Sequence, residues 1–218
     1  MLDFAGMSIP ATKPDQRRAR GADTRTQILD AARDSLAEDG YTGATTREIA
    51  ERAGVQVSLV HYHFGGKQQL LAALLDRENE RLLERQRALY AGAEPLAEKW
   101  RTACAHLRED LRSGYVRTLW ELWAVGLADE ELAARWRKAI AGWRDLLTAV
   151  AADWTAQLEV ELPIGSRALA TLVANAFQGA EAEILAGVTE EEAPHLEALE
   201  SCAELIEWTE RRSRDGRS

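Results

Sequence analysis

The stretch from Thr45 to Lys67, TTREIAERAGVQVSLVHYHFGGK, restricts the fold more than any other part of the sequence. Thr45 followed three residues later by Glu48 fits a capping box, in which each side chain serves the other's backbone N–H. Ile49, Ala50 and Ala53 give the short helix that follows an apolar face, and Gly54 ends it. Val55 then plugs the core, and Ser58 to Phe64 form a second short helix, broken by Gly65-Gly66. Gly54 admits a left-handed residue at the turn, and Ala50 lets the two helices approach. Ile49, Val55 and Val60 fill the wedge between them. Two short helices joined this tightly make a helix-turn-helix, whose second helix lies in a DNA major groove with its N-terminal residues toward base edges.

The rest of the 218-residue chain also reads as helix, which gives an all-α fold of about nine helices. Strand-like alternation is absent, proline is scarce, and Ala, Leu, Glu and Arg dominate. Ile28, Ala32 and Leu36 mark a first helix capped at Asp23 or Thr24 and stopped at Gly40. A long fourth helix starts near Lys67 and carries Leu70, Leu71, Leu74, Leu75, Leu82 and Leu83. Pro95 opens a fifth, Gly114 separates it from a sixth, and Asp129 caps a seventh. Along the seventh, Leu132, Trp136, Ile140, Trp143, Leu147, Val150, Trp154 and Leu158 keep a spacing of three or four. Two more helices cover roughly 166–186 and 194–212. The expected organisation is a disordered basic arm over 1–20, a three-helix helix-turn-helix domain over 21–67, and a larger helical domain over 68–218.

Charge supports this division. The net charge is −9, yet residues 1–67 carry nine basic and nine acidic side chains. The negative excess therefore sits in the larger domain. Lys13, Arg17, Arg18, Arg20 and Arg25 crowd the start, compatible with phosphate contact or with a solvated tail. A hydrophobic fraction of 46% suits a folded core. No apolar run is long enough to span a bilayer, and the first residues lack the layout of a secretion signal, so no membrane association and a cytoplasmic location are expected. Cys104 and Cys202 make no CxxC and read as small buried hydrophobes in a reducing compartment.

The series Ile28-x-x-Ala31-Ala32, Gly40, Thr45-Thr46-x-x-Ile49-Ala50, Ala53-Gly54-Val55, Tyr62-His63-Phe64 and Lys67-x-x-Leu70 resembles the TetR family of bacterial repressors over about residues 24–75. The resemblance implies that Gln56, Val57 and Ser58 face bases and that His61 reaches a base edge or a phosphate. It implies phosphate contacts from Tyr62 and Lys67, and contacts to the flanking backbone from Thr45, Thr46 and Arg47. Ser58 stands where the family often has glycine, and His61 where it usually has tyrosine. The resemblance further implies a ligand-binding and dimerisation domain, and a homodimer on a palindromic operator in double-stranded DNA, with half-sites about 34–36 Å apart. A small-molecule inducer would release that operator.

All seven tryptophans lie beyond residue 99. Trp100, Trp120, Trp123 and Trp143, with Arg117, Glu121, Asn175 and Gln178, are the candidate ligand contacts; His106 and Arg144 are further polar candidates. Glu121 between two tryptophans suits a cationic ligand, or it forms a plain ion pair with Arg117 one turn away. The last two helices carry more apolar positions than one buried face needs. Leu172, Ala176, Phe177, Ala180, Ile184, Leu199, Ala203 and Ile206 are therefore expected at the dimer interface. No HExxH, GxSxG, P-loop or nucleophile–base set is present, so neither an enzyme nor a metal or other cofactor is expected. A ligand-independent architectural or protein-interaction module built on the same helix-turn-helix is the alternative.

Overall fold

The computed structural model describes the backbone of residues 13–215 and the side chains of 21–213. Nine helices form among these residues: α1 (Lys13–Gly43), α2 (Thr46–Arg52), α3 (Val57–Phe64), α4 (Lys67–Ala91), α5 (Leu96–Arg112), α6 (Tyr115–Gly126), α7 (Glu130–Leu158), α8 (Ser166–Leu185) and α9 (His195–Asp215). The helix boundaries follow the expected caps except at α1, where Asp23 and Thr24 lie inside the helix rather than at its start. Thr45 accepts from the Glu48 N–H at 3.1 Å, while its own N–H donates to the Gly43 carbonyl at 2.7 Å. Only half of the expected capping box is thus formed. Asp129 caps α7 by accepting from the Leu132 N–H at 3.0 Å. Gly54 turns the chain between α2 and α3 at φ 65°, in the left-handed region where glycine carries no Cβ penalty.

The first helix departs from expectation at its start. Residues 13–20, read as part of a disordered arm, belong to α1. The rest of that arm, residues 1–12, lies outside the described residues. Gly40, at φ 66°, breaks α1 near its end as expected.

A first core joins α1, α2 and α3 through Ile28, Leu29, Leu36, Ile49 and Val60. It does not stop at residue 67. Leu70, Leu71, Leu74 and Leu75 of α4 and Leu122 of α6 belong to the same cluster, and Leu119 and Trp136 pack against it. The expected boundary therefore cuts through a continuous core. A second core binds α5, α6, α8 and α9 through Trp100, Cys104, Leu107, Val116, Phe177 and Ala203. A third, smaller one gathers Leu147, Ala170 and Ala174 between α7 and α8. α7 lies along α8, α5 along α9, and α4 along α7.

Charged pairs fix α4 to its neighbours. Arg77 reaches Asp30 of α1 at 2.9 Å, Arg85 holds Asp110 of α5, and Arg135 of α7 holds Asp76. Glu78, only 2% exposed, is met by Arg77 at 2.7 Å and Arg81 at 3.3 Å. A buried carboxylate needs such partners to stay charged.

Two outcomes are expected. Leu122→Ala, which empties a fully buried site shared by α6 and the first core, lowers unfolding free energy by about 2–5 kcal/mol in urea titration. The Cys104 thiol, whose pKa burial pushes up to about 11, reacts slowly with a thiol reagent at pH 8 until the protein is unfolded.

Candidate nucleic-acid interface and ligand cavity

The helix α3 buries one side and offers the other. Val60 is fully buried and Phe64 nearly so, which anchors the helix to the first core. Gln56, Val57, Ser58, His61 and Tyr62 are all exposed, Tyr62 at 81%. Those five side chains share the outward face that the sequence assigned to bases and phosphates. Leu59 is exposed as well, at 38%, and was not singled out from sequence. Its place three residues before Tyr62 put it on that face, but an aliphatic side chain carries no polar signal for a contact. The His61 Nδ1 lies 3.3 Å from the Gly65 carbonyl, and the His63 and Tyr62 rings pack edge to face. Thr45 and Arg47 at the start of α2 are exposed, with Thr46 partly covered. Arg47 forms no ion pair among the described residues, whereas Arg52 is held by Glu38 at 2.8 Å.

Lys67 makes contacts that the sequence did not anticipate. Its ammonium donates to the Tyr41 carbonyl at 2.5 Å and stands 3.9 Å over the Tyr41 ring. Burial lowers its pKa. The side chain is turned back onto the link between α1 and α2 rather than outward with α3, and its first effect is to position Tyr41. Glu121 meets the same link from α6. It accepts from the Tyr41 N–H at 3.2 Å and lies against Gly40, where a Cβ would sit 3.5 Å from its carboxylate. Glu121 is therefore a strut to the helix-turn-helix rather than a ligand contact. No Arg117–Glu121 pair forms among the described residues, and Arg117 is exposed.

The larger domain holds a partly open cavity of about 90 Å³ between α4, α5, α6, α7 and α8. Leu107, Trp136, Ile140, Trp143 and Phe177 supply apolar wall, and Gln86, Tyr90, Gln178 and Glu181 supply polar groups. Beside it opens a cleft of about 500 Å³ lined by Trp120, Trp123, Trp136, Arg137, Ile140, Arg144 and Gln178. Trp136, Ile140 and Gln178 border both spaces. Of the residues expected to contact ligand, Trp143 and Gln178 line the cavity, and Trp120, Trp123 and Gln178 line the cleft. Trp100 does neither. It is 8% exposed, donates from Nε1 to the Leu199 carbonyl at 2.6 Å, and holds α5 to α9. Asn175 is exposed on the outer side of α8.

Glu181 was missed by sequence reasoning. It lies one turn beyond Phe177 on the inward face of α8, so helical spacing held the signal. Trp120 Nε1 donates to its carboxylate at 3.1 Å. Burial, opposed by that bond and aided by Asp110, pushes its pKa up to about 7. No cluster of three or more potential metal-ligating side chains exists among the described residues.

The expected interface residues divide. Leu172, 58% exposed, and Ala176 face outward from α8, and Ile184 and Ile206 are partly covered. Phe177, Ala180, Leu199 and Ala203 are buried in the protomer's own second core, because α5 packs on the faces they share. On α9, Leu205 at 67% and Trp208 at 54% are exposed instead.

Comparison with known proteins matches residues 28–74 to the family described as bacterial regulatory proteins, tetR family. The HTH-type transcriptional repressor AcnR of Corynebacterium efficiens is 39% identical over 61 residues, 28% of this chain and 32% of its own length. The match thus spans about a third of that curated relative. A TetR transcription regulator from Haloarcula marismortui shares the fold with a TM-score of 0.71 at 23% identity, covering 85% of this chain and 96% of that one. The transcriptional regulator FadR of Bacillus subtilis, solved in complex with stearoyl-CoA, does so with a TM-score of 0.63 at 19% identity, covering 83% and 96%. Over residues 28–74 the chain carries the N-terminal domain of the tetR family of bacterial regulatory proteins, and it shares its fold with solved regulators along most of its length.

Proposed function

We propose that the protein is a sequence-specific DNA-binding transcriptional regulator that represses from a palindromic operator and is released by a small molecule. One observation carries this reading: α3 is anchored by Val60 and Phe64 while Gln56 to Tyr62 form an exposed, mostly polar face. A helix held rigidly from behind keeps its donors and acceptors in register with base edges. The AcnR repressor and the tetR family match extend over this unit.

The rest of the reading follows from what one copy lacks. A single recognition helix reads too few bases, so two copies related by a two-fold axis are required. The exposed apolar side chains Leu172, Leu205 and Trp208 on α8 and α9 offer a surface for that pairing. The solved FadR with stearoyl-CoA supports a ligand-responsive larger domain. No described helix is long and apolar enough to cross a membrane, and the reading locates the protein with the DNA, in the cytoplasm. Ligand bound among α4 to α8 repacks α6, and Glu121 carries the shift to Tyr41 and the α1–α2 link. Operator and ligand then weaken each other by the same factor.

The test is selection of bound genomic fragments by the full-length protein at about 0.15 M salt. A palindrome is recovered, and Gln56→Ala/Ser58→Ala loses the preference for it while still binding DNA weakly. Absence of an enriched sequence, or an unchanged preference in the variant, overturns the reading in favour of an interaction module. Glu121→Ala, which removes the acceptor of the Tyr41 N–H, weakens operator affinity about fivefold in a binding titration, the loss of one modest hydrogen bond.

A further inference from the structure

The cavity in the larger domain holds a carboxylate with no cation beside it. Glu181 receives one hydrogen bond, from Trp120 Nε1, and forms no ion pair among the described residues. The other two charged groups that reach the cavity, Arg85 and Asp110, are committed to each other at 2.9 Å. Arg85 is therefore not free to serve Glu181, and Asp110 adds repulsion. Apolar and aromatic walls surround it. A carboxylate largely covered by protein, with no positive partner, is held unfavourably, and proteins normally pair or exclude such a group. Nothing in the folding of α8 requires an acid at this position, where its neighbours Phe177 and Ala180 are apolar.

We infer that this cavity binds an apolar organic cation, an ammonium group on a hydrocarbon or aromatic body, whose charge pairs with Glu181. The inference rests on the reading of the protein as a ligand-responsive regulator and names the ligand's class. Trp136 and Trp143 line the same cavity and supply aromatic surface that attracts a cation as it leaves water.

Size makes the site a switch. The cavity measures about 90 Å³. A body of eight or more heavy atoms enters only if Trp136 and Ile140 move and join the cavity to the adjoining cleft of about 500 Å³. Trp136 also packs against the first core, as does Leu119 of the cavity wall. Displacing that wall therefore acts on the helix-turn-helix directly.

Charge pairing also sets a pH dependence. Around Glu181 stand Arg85 and Tyr90 of α4, Asp110 of α5 and Tyr115 of α6; on α7, Arg144 lines the outer cleft. Both tyrosines are raised by burial and stay neutral, and His106 is lowered by burial and by Arg85, away from its charged form. Glu181, raised to about 7, is the group that titrates near neutrality. Below that value it must lose a proton before it pairs, so affinity for a cation rises with pH.

The test uses the full-length protein and three matched probes, octylammonium, octanol and octanoate, titrated by tryptophan fluorescence at pH 6, 7 and 8. Octylammonium binds at least about tenfold tighter than the other two at pH 8, and its Kd falls about tenfold from pH 6 to 8. Glu181→Gln, which keeps an acceptor for Trp120, loses both the charge preference and the pH trend while octanol binds as before. Octanol or octanoate binding as tightly, binding by none of the three, or a preference that survives in Glu181→Gln overturns the inference. If Glu181→Gln does not fold, the wild-type preference and pH trend decide alone. Fragment selection without probe separates the two readings: an operator recovered with no amine preference sinks only this inference, and a Glu181-dependent preference without an operator sinks only the regulator.

Discussion

Four leucines in two turns of α4, Leu70, Leu71, Leu74 and Leu75, are at most 1% exposed, and their burial joins α1, α2, α3 and α6 to α4 in one core. They face α1 and α3 on one side and α6 on another, so one stripe of aliphatic surface belongs at once to the helix-turn-helix and to the body of the protein. Burial of such side chains is the main favourable contribution to folding, about 1.5–3 kcal/mol each. The polar side of α4 then selects orientation. Arg77 ties to Asp30, Arg85 to Asp110, and Asp76 to Arg135, so three neighbours are fixed by pairs that a rotated helix would leave unmade. Partly exposed pairs contribute little free energy, yet they specify register.

Around this spine the two functional regions answer opposite demands. The outward residues of α3 are mostly short or polar, as the proposed contact with DNA requires, and its apolar anchors lie behind. The cavity is walled largely by rings and aliphatics, and its charges Arg85 and Asp110 satisfy each other. Glu181 is the exception, and the chemistry of the site turns on it. Between the two regions stands α6. Leu122 lies within the first core, Glu121 braces the Tyr41 turn, and Trp120 holds Glu181. Three successive residues thus face the core, the DNA-reading unit and the cavity, which is possible because a helix turns about 100° per residue.

Much of this was legible in the sequence. Helix number, the caps at Thr45 and Asp129, the break at Gly40 and the outward face of α3 all follow from local rules that read a few residues at a time. What failed was partnership across space. Periodicity showed that Phe177, Ala180, Leu199 and Ala203 face inward, but not that α5 of the same protomer meets them. Lys67 matched a motif position, yet the aromatic ring and carbonyl that capture it lie 26 residues away at Tyr41. Glu121 drew notice for the tryptophans beside it in sequence, while the acid in the cavity came from α8. Trp100 groups in sequence with the other tryptophans as pocket lining, but its indole N–H is satisfied by the Leu199 carbonyl and it holds α5 to α9.

The continuity of the first core through α4 and α6 also decides where such proteins can be recombined. A chimera that grafts the reading head of one relative onto the body of another cannot be joined at the loop before Lys67. The graft must carry the leucines of the first turns of α4 and be matched to the residue that stands at Leu122, nearly fifty positions downstream. Heads and bodies of this build are therefore not freely exchangeable modules, and a new operator specificity is reached more readily by changing the outward residues of α3 than by importing another head.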